Sequence, residues 1–268
     1  MTPEIHLHVL ASGSKGNAAV IEGPEGDVLI DCGISRRELM RRAAELGVDM
    51  DRVHAVLVTH EHSDHVSGLS VFCNHYDGPL YATAGTVAGR SYLAEMPFTL
   101  VDHSQDLELC GMHVRCFPTS HDVNDPMGFR FETGGDALGW CTDTGYVTDE
   151  AMEALFGCRI LGLESNHDER MLASGPYPAF LKARIHGESG HLSNDQTASI
   201  LPFLVTSDTE TVVALHLSQE NNRPSVCMRT IAPAVDAEAA NDGYTEARTP
   251  DGLLSLCVAA QDRPLTIW

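Results

Sequence analysis

Thr59-His60-Glu61-His62-Ser63-Asp64-His65 follows directly on the apolar run Ala55-Val56-Leu57-Val58. The run has the length and the β-branched content of a buried strand. Its end therefore delivers three imidazoles and two carboxylates, all between His60 and His65, to the edge of a sheet. His60 and His62 alternate along extended chain and can point to one side together. Asp64 and His65 fall where a helix begins, and so aim elsewhere. One short segment can thus serve two metal ions. The plainer alternative, a solvated polar loop, does not account for so many ligand side chains at this spacing.

The same seven residues resemble the signature of the metallo-β-lactamase-fold hydrolases. That resemblance implies an α/β architecture, an αββα four-layer sandwich. Two mixed β-sheets would face each other, flanked by helices, with a dinuclear site at one end.

The chain of 268 residues has 43% hydrophobic content, enough for a sizeable core. Without a linker, low-complexity run or short repeat, it reads as a single domain over 1–268. No apolar stretch approaches the roughly 20 residues of a membrane span. The start, Met1-Thr2-Pro3-Glu4-Ile5-His6, lacks the basic and apolar pattern of a secretory leader. Eight cysteines occur without a C-x-x-C pair, as in a cytoplasmic protein with reduced core thiols. A net charge of −21 counts against a polyanionic partner unless a local basic patch receives it.

Along the chain, a first strand from Ile5 to Leu10 leads into Ala11-Ser12-Gly13-Ser14-Lys15-Gly16-Asn17. That loop reads as a plain turn or as a cradle of N–H groups for an anion. Two paired strands then end in Asp31-Cys32-Gly33. Asp31 is either a turn or cap carboxylate or, as related folds suggest, a support beneath the metal site. A helix from Ser35 to about Leu46 carries Arg36, Arg37, Arg41 and Arg42, a solvated surface or a phosphate contact. Helices are expected from Asp64 to about Tyr76, from Gly85 to Leu93, from Ala179 to Ile185 and from Asp195 to Leu204. Hairpins are expected around Gly111 and around Gly134-Gly135.

The fold resemblance places further ligands at later strand ends. Thr119-Ser120-His121-Asp122 would supply His121, and Cys141-Thr142-Asp143-Thr144-Gly145 a bridging Asp143. His216, after the strand Thr211 to Leu215, would be the last. The implied centre has His60, His62 and His121 on one ion, Asp64, His65 and His216 on the other, and Asp143 shared. Mixed imidazole and carboxylate ligands suit zinc, with manganese as the alternative. Such a pair would activate a shared hydroxide as nucleophile; Asp64 counts among the catalytic groups as well as the ligands.

These ligands do not name a substrate. Glu164, after the strand Arg159 to Leu163, and His191, in Gly190-His191-Leu192-Ser193, stand where transfer-RNA 3′-processing nucleases of this fold carry a Glu and a His. There the His contacts the scissile phosphate. Those nucleases show His-Glu-Ala-Thr, whereas this chain shows Leu163-Glu164-Ser165-Asn166. Glu164-Ser165-Asn166-His167-Asp168, the loop of residues 11–17 and His216-Leu217-Ser218-Gln219-Glu220-Asn221-Asn222 together resemble the YycJ/WalJ-type bacterial nucleases. That resemblance runs from about residue 6 to 224. It implies a metal-dependent phosphodiesterase acting on DNA rather than RNA, plausibly a 5′-to-3′ exonuclease in repair. His191 would then be the general acid or phosphate contact and Glu164 its orienter, unless His191 merely caps the following helix. Asn221, Asn222 and Arg223 would line the cleft. The segment from Asp143 to His216 is too short for the inserted domain of β-CASP nucleases. The competing reading is a small-molecule hydrolase, a glyoxalase II-type thioesterase or a lactonase, which the acidic charge suits better. Oligomeric state is open.

Overall fold

A computed structural model describes residues 4–268. Met1, Thr2 and Pro3, part of the stretch read above as no leader, lie outside them. The strands form two mixed sheets, of seven and nine strands among the described residues, with helices on their flanks. The chain falls into two compact units. The first comprises residues 4–118, 123–136 and 260–268, and the second 119–122 and 137–259.

The first unit starts with three antiparallel strands, β1 (His6–Ala11), β2 (Ala18–Gly23) and β3 (Gly26–Ile30). Helix α1 (Arg36–Leu46) crosses over to β4 (Val53–Leu57), which pairs parallel with β3. Short helices α2 (Ser63–Val66) and α3 (Leu69–Cys73) lead to β5 (Leu80–Thr83). Helix α4 (Ala84–Ala88) then leads to β6 (Phe98–Val101). The C-terminal strand Leu265–Ile267 closes the other edge against β1. Leu39 and Ala43 of α1 and Leu69 and Phe72 of α3 pack with Val20, Leu29, Val56 and Val58 of the sheet, which fixes both helices on one face. Strands β7 (Asp106–Leu109), β8 (Met112–Pro118) and β9 (Met127–Thr133) follow as an antiparallel ladder, β7 and β8 forming the expected hairpin at Gly111.

In the second unit β10 (Asp136–Cys141), β11 (Ile160–Glu164) and β12 (Thr211–Leu215) run parallel. Every residue of β11 is buried, as a parallel strand covered on both faces requires. Helices α5 (Asp149–Leu155), α6 (Glu169–Ser174), α7 (Ala179–His186) and α8 (Asn194–Leu204) fill the connections. Helix α9 (Pro224–Ile231) buries Cys227, Met228 and Ile231. Strands β13 (Glu238–Ala239), β14 (Glu246–Arg248) and β15 (Ser255–Val258) complete the unit, β15 parallel to β12.

Local differences from expectation have physical causes. The helix expected from Asp64 to Tyr76 is broken at Gly68, whose N–H bonds Cys32 O. Ser35 caps α1 by accepting Glu38 N–H, and the Glu38 carboxylate turns to Arg41. Arg42 is buried, its Nη1 donating to Leu10 O and Gln261 O, while Arg41 is held by Glu38 and Glu45. Helix α9 went unread, although Pro224 at its first turn is a start signal. No disulfide joins the eight cysteines; burial pushes the thiols of Cys32 and Cys227 up to about 12, so they pack as neutral groups. Among the described residues no helix is long and apolar enough to cross a membrane.

Gly33 lets the loop after β4 close. A Cβ there would lie 1.6 Å from Asp64 O, a backbone atom with nowhere to go. At Gly47, with φ +77°, a Cβ would meet nothing within 4 Å. Gly33→Ala should therefore cost roughly 3 kcal/mol or more, and Gly47→Ala only the left-handed strain of about 1 kcal/mol. Urea midpoints of the two variants check the order.

Candidate metal centre

In the first unit the candidate ligand side chains radiate from the end of β4. The His60 ring centroid lies 4.9 Å from that of His62 and 4.0 Å from that of His65. Asp31, buried at the end of β3, organises them. Its Oδ2 accepts from His65 Nδ1 at 2.7 Å and from Thr59 Oγ1 at 2.8 Å, and its Oδ1 accepts Thr59 N–H at 2.8 Å. With Nδ1 engaged, Nε2 is the nitrogen His65 keeps for a ligand bond; it lies 3.8 Å from Asp64 Oδ2. Asn17 Nδ2 approaches the same nitrogen at 3.0 Å. Of the alternatives open for Asp31, the structure shows a carboxylate that holds the His65 ring by Nδ1.

The glycine-rich loop before β2 is a turn. The N–H groups of Ser12, Gly13, Lys15, Gly16 and Asn17 all donate to protein acceptors, which leaves none of these five for an anion.

In the second unit four residues, Asp143, Glu164, His191 and His216, can bring ligand atoms within 4.8 Å of one another. Asp143 stands just past β10 and His216 just past β12, both on left-handed backbone, φ +56° and +55°. Asp143 Oδ2 accepts from Thr142 Oγ1. Its Oδ1 lies 3.4 Å from His216 Nδ1 and 3.6 Å from His121 Nε2. His121 donates Nδ1–H to Gly190 O at 2.9 Å, so Nε2 is the nitrogen turned toward Asp143. That donor chemistry, imidazoles oriented by carbonyl or carboxylate acceptors beside a buried aspartate, fits a divalent cation.

Glu164, the last residue of β11, is fully buried. Oε1 receives the Nδ1 of both His191 and His216 at 2.9 Å, and Oε2 accepts the N–H groups of Thr144 and Leu192. Burial alone would push this carboxyl up; the two imidazoles outweigh it and hold it down, at about 2. His191 is 19% exposed at its side chain, against 3% for His216 and 2% for Asp143. It is thus the member of this cluster open to an incoming group.

Sequence reasoning missed the layer behind these residues. Asn166 Nδ2 donates to His216 O, and Asn222 Nδ2 to Ser165 O, Asn166 O and Asn194 Oδ1. Asn221 and Asn222 are buried, so the expectation that they line an open cleft is corrected. Arg223 directs Nη1 to the Gln219 and Asn222 carbonyls. Their clustering near Asn166 and His216 in the motifs was the available signal; the partners they choose was not.

Such residues at strand ends of two mixed sheets define a hydrolase of the metallo-β-lactamase fold. The family described as "Beta-lactamase superfamily domain" matches residues 27–217. The exodeoxyribonuclease YycJ of Bacillus anthracis is 34% identical over 238 residues, 87% of this chain and 89% of that protein. The exodeoxyribonuclease WalJ of Streptococcus pneumoniae is 32% identical over 220 residues, covering 80% of this chain and 82% of that one. Among solved structures, the metallo-β-lactamase-fold protein YhfI of Bacillus subtilis matches 98% of this chain and 100% of its own with TM-score 0.69 at 13% identity, a likeness of fold. The chain belongs to the β-lactamase superfamily and, within it, to the YycJ/WalJ-type family.

Two outcomes are expected here. Asp31→Asn keeps the shape but weakens the acceptor behind His65. Metal affinity, read by chelator competition, should fall about 10–100-fold. His167, 1% exposed with its Nδ1 unpartnered, has its pKa lowered to about 4, chiefly by burial. A His held neutral in the fold stabilises fully above the unfolded value of about 6.5 and loses that contribution as pH falls toward 4. The loss should reach about 3 kcal/mol, and His167→Gln should flatten that limb of the stability–pH curve.

Proposed function

We propose that the protein is a metal-dependent phosphodiesterase that degrades DNA, acting as a 5′-to-3′ exonuclease in repair, in the cytoplasm and as one domain. The observation that carries this reading is the Glu164–His191 pair, with His191 the exposed member of its cluster. Two relatives named exodeoxyribonucleases, matching most of the chain, support it.

His60, His62, Asp64, His65, His121, Asp143 and His216 are proposed as the ligands of two divalent ions, zinc or manganese, with Asp143 shared. Such ions lower the pKa of water toward neutrality and polarise a phosphoryl oxygen. The chain's own residues then divide the remaining work. Asp31 and Glu164 hold His65 and His216 by their Nδ1 atoms, so that Nε2 of each is presented without rotation of the ring. His191 has Nδ1 on Glu164 and therefore uses Nε2 to contact the phosphate and to move a proton to the leaving oxygen. The burial of Asp143 and Glu164 keeps these charges in a site of low dielectric, where they orient their partners strongly.

Purified protein should digest 5′-phosphorylated duplex DNA, lose that activity with a chelator and regain it with zinc or manganese. His191→Ala should lower kcat by about 10²–10⁴-fold, the range of a lost general acid. Activity on a glutathione thioester alone, unchanged in His191→Ala, would replace this reading with the small-molecule hydrolase.

A further inference from the structure

A chain with 17 Lys and Arg against 38 Asp and Glu needs a local exception to receive a polyanion. Helix α1 does not provide it: Arg41 is held by two glutamates, Arg42 is buried and Arg36 half-buried, which leaves Arg37 as a single exposed cation. Helices α6 and α7 differ. Between residues 168 and 188 Arg170, Lys182 and Arg184 stand against Asp168, Glu169 and Glu188; Arg184 is paired with Asp122, whereas Arg170 and Lys182 enter no ion pair among the described residues, Lys182 Nζ donating to Ala173 O. Of the flanking acids, Asp168 accepts Met171 N–H as the cap of α6, and Glu188 stays exposed.

Helix α7 buries none of its residues, so its sequence answers to something other than the core. Phe180 is 74% exposed on it, an aromatic face with no folded partner to explain it. Between α6 and α7 lies a pocket of about 400 Å³, within the roughly 300–1,000 Å³ usual for small ligands. Leu172, Ala173 and Ala183 give it apolar walls, with Lys182, His186 and Glu169 among its polar residues. The C-terminal end of α7 is stitched to the catalytic cluster of its own unit. Ile185 O accepts His191 N–H at 2.9 Å, and Arg184 pairs with Asp122, the residue after His121.

We propose that the α6–α7 pair is a docking surface for single-stranded DNA, with a nucleobase in the pocket between the helices, a second base stacked on Phe180 and Arg170 and Lys182 on the phosphates. The inference rests on the nuclease reading above and names how its substrate is held. Stacking on an exposed aromatic ring beside cationic side chains accepts any base, which suits an enzyme that digests strands regardless of sequence. The backbone bond from His191 N–H to Ile185 O ties the C-terminal end of this surface to the segment that carries His191.

The test compares the metal-loaded wild type with Arg170→Glu/Lys182→Glu and with Phe180→Ala. Substrates are a 5′-phosphorylated single-stranded 20-mer and bis(p-nitrophenyl) phosphate, which is too small to reach the helices. Arg37→Glu/Arg263→Glu, exposed and in the other unit, makes the same change of net charge. On the 20-mer, KM should rise about 10-fold or more in both α6–α7 variants. The salt dependence of log KM should flatten by about 1.4 in the double charge variant, about 0.7 for each lost phosphate contact. Rates on the small diester, and KM of the Arg37/Arg263 control, should stay within about twofold of wild type. Unchanged KM on the 20-mer overturns the docking surface, as does an equal rise in the control or a parallel loss on the small diester. Wild-type hydrolysis of the small diester without any cleavage of DNA defeats instead the nuclease reading, and the proposed occupant with it.

Discussion

The charge of Glu164 has nowhere to go. An ionised carboxylate with no exposure is tolerated only where its lone pairs are filled by donors, because the interior solvates it so poorly. Two imidazole nitrogens and two backbone N–H groups fill them here. Those donors come from the turn after β10, from the segment before α8 and from the end of β12. Satisfying one buried group thus brings Thr144, His191, Leu192 and His216 to one place. In the other unit Asp31 does the same on a smaller scale, collecting Thr59 and His65 from the turn and helix after β4. Each unit therefore carries a histidine whose Nδ1 is fixed by a buried carboxylate, which is what a metal ligand needs to present Nε2 without rotating.

Backbone strain gathers at the same points. Asp31, Asp143 and His216 all take left-handed φ values, +58°, +56° and +55°, though none is glycine. Left-handed backbone costs a residue with a Cβ about 1–2 kcal/mol. It also turns the side chain sharply as a strand ends, which sends it back over the sheet edge. The hydrogen bonds on Asp31 and Asp143 and the contact of His216 to Glu164 over-determine these conformations, and strain of this kind concentrates where function requires a fixed geometry. Gly33 and Gly68 serve from the opposite direction. They leave room for backbone to pass at distances that a side chain would block.

How much was legible depended on the range over which each residue acts. The residues from Thr59 to His65 were legible as a cluster because the pattern is local: an apolar strand ends in imidazoles at alternating positions. His121, Asp143, Glu164, His191 and His216 became readable through the resemblance, which supplied the long-range order that spacing lacks. The asparagines did not. Asn166, Asn194 and Asn222 look like loop residues, yet they are buried and bond across separations of 28 to 57 residues. Nothing in their neighbours says whether an asparagine faces water or a distant carbonyl. Arg42 misled in the opposite way: the helical spacing placed it among surface arginines, whereas two carbonyls from β1 and the C-terminal segment draw it inside.

By itself the sequence determined the order of strands and turns at the N-terminal half and the loop that gathers His60, His62, Asp64 and His65, because apolar periodicity and clustered side chains are encoded over a few residues; the class of fold was reached through the resemblance those residues carry. Tertiary structure alone decided which nitrogen each histidine presents, that the loop of residues 11–17 is a turn and not an anion cradle, and that Glu164 serves two imidazoles at once. Those outcomes depend on which distant donor reaches a buried lone pair first, and only the folded chain sets that competition.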